Sequence, residues 1–229
     1  MKLHKRFVLV VSMISLSLLA CQLGGLIPDS AKTVRGSGDV VEETHAVSGV
    51  SGVNLATLGH LTIELGDTES LRIEAEDNLM EYIETELRSG LLIIGTQEDI
   101  RLDPTRPVNY FLTVTDLDTI VISSSGDIKM SNLETDTLEV DINSSGSLDI
   151  AGGVVNSQDI TISSSGSYTA QDLACNEAEV RINSSGSATI WVIDNLEVIL
   201  NSSGDLRYRG NPTVNASTNS SGRVIQIGE

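Results

Sequence analysis

The sequence predicts an all-β protein: a right-handed parallel β-helix (β-solenoid) with 18–20-residue coils and Ser-Ser-Gly corners. Three observations predict it. Ser-Ser-Gly occurs six times, with its glycines at 126, 146, 166, 186, 204 and 222, so the spacings are 20, 20, 20, 18 and 18. Self-similarity at such a period is the signature of a solenoid. On both sides of each triplet apolar and polar residues alternate with period two, which marks strand, turn, strand.

The strand before each corner is read from Val140 and Ile142, Ile160 and Ile162, Val180 and Ile182, and Val198 and Leu200. The strand after it is read from Ile128 and Met130, Leu148 and Ile150, Tyr168 and Ala170, Ala188 and Ile190, and Leu206 and Tyr208. A third apolar mark follows seven residues after several glycines, at Leu133, Leu173 and Ile193. Two strands, a short third side and a loop make one coil, and parallel crossovers are almost always right-handed. A lone coil buries too few apolar side chains to offset the entropy of ordering its own backbone, so coils must stack.

The triplets admit three readings. As nucleophiles, the serines need a base within hydrogen-bond reach, and after residue 20 the only histidines are His45 and His60, neither in the repeat half. As glycosylation sites, Asn143, Asn183, Asn201, Asn215 and Asn219 head Asn-X-Ser, but Ser123 and Ser163 take the same corner position, so the requirement is small and polar. As corners, the triplets fit: glycine supplies φ > 0, Ser and Asn bond the local backbone, and stacking aligns them in ladders. The structural corners are therefore Gly126, Gly146, Gly166, Gly186, Gly204 and Gly222, and no residue is assigned a catalytic role.

The first residues set the expected address. Lys2, Lys5 and Arg6 precede an apolar run from Phe7 to Leu19 that ends in Leu-Leu-Ala-Cys. Its length is that of a signal peptide and short of the ~20 residues that span a bilayer. The pattern resembles a bacterial lipobox, which implies cleavage before Cys21 and lipidation of Cys21. Residues 1–20 are then a lipoprotein signal peptide and 21–35 the lipid anchor and tether. Residues 36–229 form a single β-helix domain, with regular repeats over 119–229. Removing residues 1–20 leaves a formal charge of −21, which repels nucleic acid. Aromatic content of 3% leaves little for stacking sugars or bases. With Cys21 lipidated, Cys175 has no intrachain disulfide partner and is expected to pack as a small buried side chain.

Between Gly36 and Thr119 the alternation persists without the period. "HLTIEL" and "SLRIEAE" flank a turn at Gly66-Asp67, and "LLIIGTQ" follows Ser89-Gly90. "DNLMEYIETEL" fits both a helical spacing and an extended one, which leaves residues 77–90 open. Glu98, Asp103, Arg101 and Arg106 read as a solvated loop.

Here the chain looks like a known family. "GDTESLRIEAEDNLMEYIETEL", then "PVNYFLTVTDLDTIVISSSGDI", then the recurrent Ser-Ser-Gly corners, resemble the bacterial putative auto-transporter adhesin, head GIN domain family, over roughly 40–227. The resemblance implies a β-helix-like domain, an exported, cell-envelope location and an adhesin-like role without catalytic residues to carry over. In the late coils the corners shorten to 18 residues. After Gly222 the apolar phase slips to Val224, Ile225 and Ile227, as an end coil would.

The leading expectation is a non-enzymatic cell-envelope lipoprotein, held to a membrane through its N-terminal lipid, with a cell-surface, glycan or protein ligand, no nucleic acid and no cofactor. The rival readings are a polysaccharide-binding or polysaccharide-processing β-helix and an envelope-stress accessory protein. Processing needs long loops around a cleft with converging Asp, Arg or Lys, and "SNLETDT" and "AGGVVNSQ" are short. Calcium at the corners would use Asp127 and Asp205, acidic in only two of six, so no metal is expected.

Overall fold

Alternation becomes strand wherever the apolar rows call for it. In the computed structural model, which describes residues 31–228, the strand before each corner pairs in parallel with its counterpart one coil away. Thr119 lies opposite Glu139, Glu139 opposite Asp159, Asp159 opposite Glu179, Glu179 opposite Glu197 and Glu197 opposite Asn215. The register offset is thus the sequence repeat itself. The strands after the corner pair likewise, Asp127 with Ser147, Ser147 with Ser167, Ser167 with Ser187, and Ser187 with Asp205. A third side runs through 133–135, 153–155 and 173–175. The result is a β-solenoid whose interior is a continuous apolar core, from Val53 and Leu55 through Ile122, Ile142, Ile162 and Ile182 to Leu200 and Leu206.

The two-residue shortening has a local cause. Ala170 pairs with Ile190 and Ala174 with Trp191, so three residues of the longer coil have no counterpart; Cys175 then pairs with Val192 and Glu177 with Asn195, which returns one. Leu133 and Leu173 are fully buried, but the third mark is corrected in the shorter coil: Val192 takes the core position and Ile193 is 44% exposed.

The N-terminal half contains a coil out of sequence order. Gly52–Leu55 and His60–Leu65 flank a corner at 56–59 and stack directly on 119–130. On their other side stack Leu91–Thr96 and Asn109–Val114, which come later in the chain. Three antiparallel strands extend this end: Ser70–Glu76 on Asn109–Val114, Val40–His45 on Ser70–Glu76, and Ile83–Arg88 on Leu91–Thr96. The open stretch at 77–90 takes both of its readings in turn. Asp77–Met80 is one helical turn that buries Leu79 and Met80, and Ile83–Arg88 is strand. Ser89 and Gly90 both have positive φ, 51° and 87°, as tight hairpins require.

Candidate functional site

The Ser-Ser-Gly corners stack one above another, but the reason for their glycines differs from the sequence expectation. Positive φ among glycines occurs at 38, 49, 59, 90, 153 and 210, and at none of the six corners. Corner glycines are required because the next coil's backbone occupies the side-chain space. A Cβ on Gly146 would run into the Gly126 carbonyl oxygen and lie 2.6 Å from Ile122 Cγ2; on Gly186 it would lie 2.9 Å from the Gly166 oxygen, and on Gly204 2.8 Å from the Gly186 oxygen. Corner carbonyls of this kind accept hydrogen bonds along the stack, Gly166 from Ser187 N at 3.1 Å and Gly186 from Asp205 N at 3.2 Å. The ladder that holds the coils together thus excludes any side chain at the corner.

The asparagines are exposed and bond each other. Asn219 Nδ2 donates to Asn201 Oδ1 (2.9 Å), and Asn201 Nδ2 donates to Asn183 Oδ1 (2.8 Å). At the other end of the row, Ser123 Oγ donates to Asn54 Oδ1 (3.0 Å).

One histidine does reach the serine row. The out-of-order coil puts His60 opposite Asp127, and Asp127 opposite Ser147. His60 Nδ1 lies 3.3 Å from Asp127 Oδ2, and Ser147 Oγ donates to Asp127 Oδ1 at 2.6 Å. The carboxylate sits between hydroxyl and imidazole, the reverse of the order that lets imidazole take a serine proton. Sequence reasoning missed this because only the coil order brings residue 60 to residue 127.

A shallow groove of about 830 Å³ crosses several coils. Glu139, Asp159, Glu179 and Glu197 form one row through it, with Asp118 and Glu177 beside them. Successive strands are about 4.8 Å apart, so these carboxylates face each other closely. Arg181 Nη2 donates to Glu179 Oε1 at 2.6 Å. Burial, and then the charge of Asp159, raises the pKa of Asp141 on the same strand face. The row was legible as acids recurring at 20, 20 and 18 residues. Its chemistry is attraction of cations and repulsion of anions; among the described residues no cluster of three or more His, Cys, Asp or Glu is set to hold a metal ion.

The Phe111 and Trp191 faces are covered rather than presented. The Arg72 guanidinium stacks 3.8 Å from the Phe111 ring centroid, and that of Arg209 lies 4.6 Å from Trp191. Cys175 is 1% exposed, and its thiol donates to the Trp191 carbonyl at 3.2 Å. Burial pushes that thiol up to about 12, which keeps it protonated and inert. Beside it, Tyr168 OH donates to Gln158 Oε1 at 2.7 Å inside the core.

Residues 50–212 match the family described as putative auto-transporter adhesin, head GIN domain. The chain belongs to this family. No curated protein matches it. Its solenoid is similar to the crystal structure of a putative adhesin from Bacteroides fragilis NCTC 9343, with TM-score 0.71 at 18% identity, covering 85% of this chain and 100% of that one. It is also similar to a putative adhesin from Parabacteroides merdae ATCC 43184 (TM-score 0.58, 17% identity, 86% and 100% covered). A third similar structure is a putative lipid binding protein from Parabacteroides distasonis ATCC 8503 (TM-score 0.62, 18% identity, 86% and 100% covered). At these identities the likeness is one of fold. Among the described residues no helix is long and apolar enough to cross a membrane. Cys21, the signal-peptide segment and the tether up to residue 30 lie outside the described residues; the end of the expected tether is corrected, since Lys32–Arg35 is a β-strand.

Proposed function

We propose that this head GIN domain chain is an exported, lipid-anchored scaffold of the bacterial cell envelope that works by adhesion through its outer faces and ends, without catalysis. Membership of a family of putative adhesins is the observation that carries this reading. The geometry supports it. The one nearby imidazole is separated from Ser147 by Asp127, and the connections between faces are short.

Polysaccharide processing has less support. The groove carries carboxylates in one like-charged row rather than opposed acid and base, and the Phe111 and Trp191 rings lie under arginines. Contact with a cell surface, glycan or protein suits the exposed Thr, Ser, Asn and acidic rows better.

Cys21→Ser is the first test. The variant should remain uncleaved, incorporate no labelled palmitate and leave the membrane-anchored fraction; normal acylation of it would remove the anchor from the proposal. Cells carrying the full chain should then be retained on host surface, glycan or sister cells more than cells lacking it. Equal retention on all three would remove adhesion.

A further inference from the structure

The two ends of the solenoid differ in how their edge strands are defended. At the end built by the N-terminal half, the outermost strands are Val40–His45 and Ile83–Arg88, which carry Glu42 and Glu43, and Glu84 and Glu86. Glu43 lies opposite the buried Ile73, so a charge sits in the row that points inward. Charged and inward-pointing residues are how sheet edges avoid pairing with other chains.

The opposite end has no such guard. Thr213–Thr218 pairs on one side, with residues 195–200, and among the described residues no strand covers its other side. All six residues, "TVNAST", are exposed and uncharged. Val214, Ala216 and Thr218 continue the inward row of Leu196, Val198 and Leu200, while Thr213, Asn215 and Ser217 point outward. The neighbouring strand Arg223–Gly228 has one charge, and Arg223 is tied to Asp205 at 2.5 Å.

Charge adds a direction. Residues 36–118 carry a formal charge of −13 and residues 119–204 carry −10, whereas residues 205–229 carry +1. Two copies of so acidic a chain repel through every other region. The strand Thr213–Thr218, which carries no carboxylate, is where they can meet with least repulsion.

We propose that Thr213–Thr218 pairs with the same strand of a second copy, antiparallel across a two-fold axis, joining two solenoids tail to tail. A two-fold perpendicular to the stack reverses strand direction and makes the contact self-complementary and closed. Centred on Ala216, it sets Val214 against Thr218 on the inward side and Asn215 against Ser217 outside, with no charge in the seam. The free backbone N–H and C=O groups of both edges are then satisfied. This contact goes beyond the adhesin reading and stands without it, since it is a property of two copies in solution.

The test is sedimentation velocity of the full chain in detergent over a concentration series. A reversible monomer–dimer equilibrium with no larger species is expected. Asn215→Lys with Ser217→Lys puts like charges opposite each other at exposed positions, and should weaken pairing by roughly tenfold or more while leaving the melting temperature unchanged. Asn215→Glu with Ser217→Glu should do the same, and equal mixing of the two variants should restore a heterodimer. The proposal is overturned by a wild type that stays monomeric up to its solubility limit, or by an open-ended series of oligomers. It is overturned equally by a lysine variant that pairs as well as wild type, or by a mixture that stays monomeric.

Discussion

At Gly146 the volume a methyl group would take is already filled by the Gly126 carbonyl and Ile122 Cγ2. Both are tied into the stack, so neither can give way cheaply. Gly146→Ala should therefore cost roughly 1–3 kcal/mol, the usual range for overpacking. Gly95 supplies the control: a Cβ there meets nothing within 4 Å, and Gly95→Ala should show no loss. Urea denaturation of both variants checks the pair, and a wild-type midpoint for Gly146→Ala would mean the coils are looser than drawn. Inside the core, Tyr168 OH depends on Gln158 Oε1 as its acceptor. Gln158→Leu strands a buried hydroxyl and should cost about 1–3 kcal/mol. Adding Tyr168→Phe should recover much of that loss; a purely additive double variant would show that the bond contributes nothing.

Glu76 shows how one side chain fastens several elements. It is fully buried, and its carboxylate accepts from Gly38 N (2.6 Å), Thr105 N (2.8 Å), Thr105 Oγ1 (2.5 Å) and Arg106 N (3.2 Å). Burial pushes its pKa up, but the bonds from Thr105, Arg106 and Gly38 outweigh it and hold the group below the usual carboxylate range. Gly36 packs against the same carboxylate with no room for a Cβ. Glu76→Gln keeps the shape but places an amide among donors, and should cost about 2 kcal/mol; melting at neutral pH measures it. Nothing in "IEAEDN" separates Glu76 from Glu74, since both alternate with apolar residues, and only tertiary packing buries one. The same limit applies to the corner at 56–59. It carries Thr-Leu-Gly where six others carry Ser-Ser-Gly, and it lies 67 residues before the next corner glycine. The regular coils were legible because stacking identical coils imposes one register, whereas the end cap is antiparallel and has no period to read. The torsion argument for corner glycines failed for a related reason: a close approach between coils leaves no trace in the local sequence that a left-handed turn would not also leave.

Across the whole molecule, stacking turns single charges into rows. Carboxylates at Glu139, Asp159, Glu179 and Glu197 repeat at the strand spacing, and like charges directly opposite are destabilising. Asp141 feels this field, with burial first and Asp159 second raising its pKa. As pH falls from neutrality, the folded chain takes up this proton before the unfolded chain does, so stability rises through the window between the raised and ordinary values. Glu76 and Asp205 act in the opposite sense. Thr105, Arg106 and Gly38 outweigh burial at Glu76, and Arg223 holds Asp205 down. Their contribution is complete above the ordinary carboxylate range of about 4 and is lost as pH falls through their lowered values. The melting temperature should thus climb on mild acidification, peak on the acid side of neutrality and then collapse. Salt screens only the Asp159 contribution to that shift and leaves the burial contribution, so it should flatten the climb in part. Asp141→Asn removes the raised group alone, so it should be more stable than wild type at pH 7 and lose most of the climb while keeping the acid collapse. Melting curves of both chains between neutral and acid pH decide it: a wild-type melting temperature that falls steadily from pH 7 downward would show that the favourable bonds of Glu76 and Asp205, and not Asp141, govern the solenoid's response to acid.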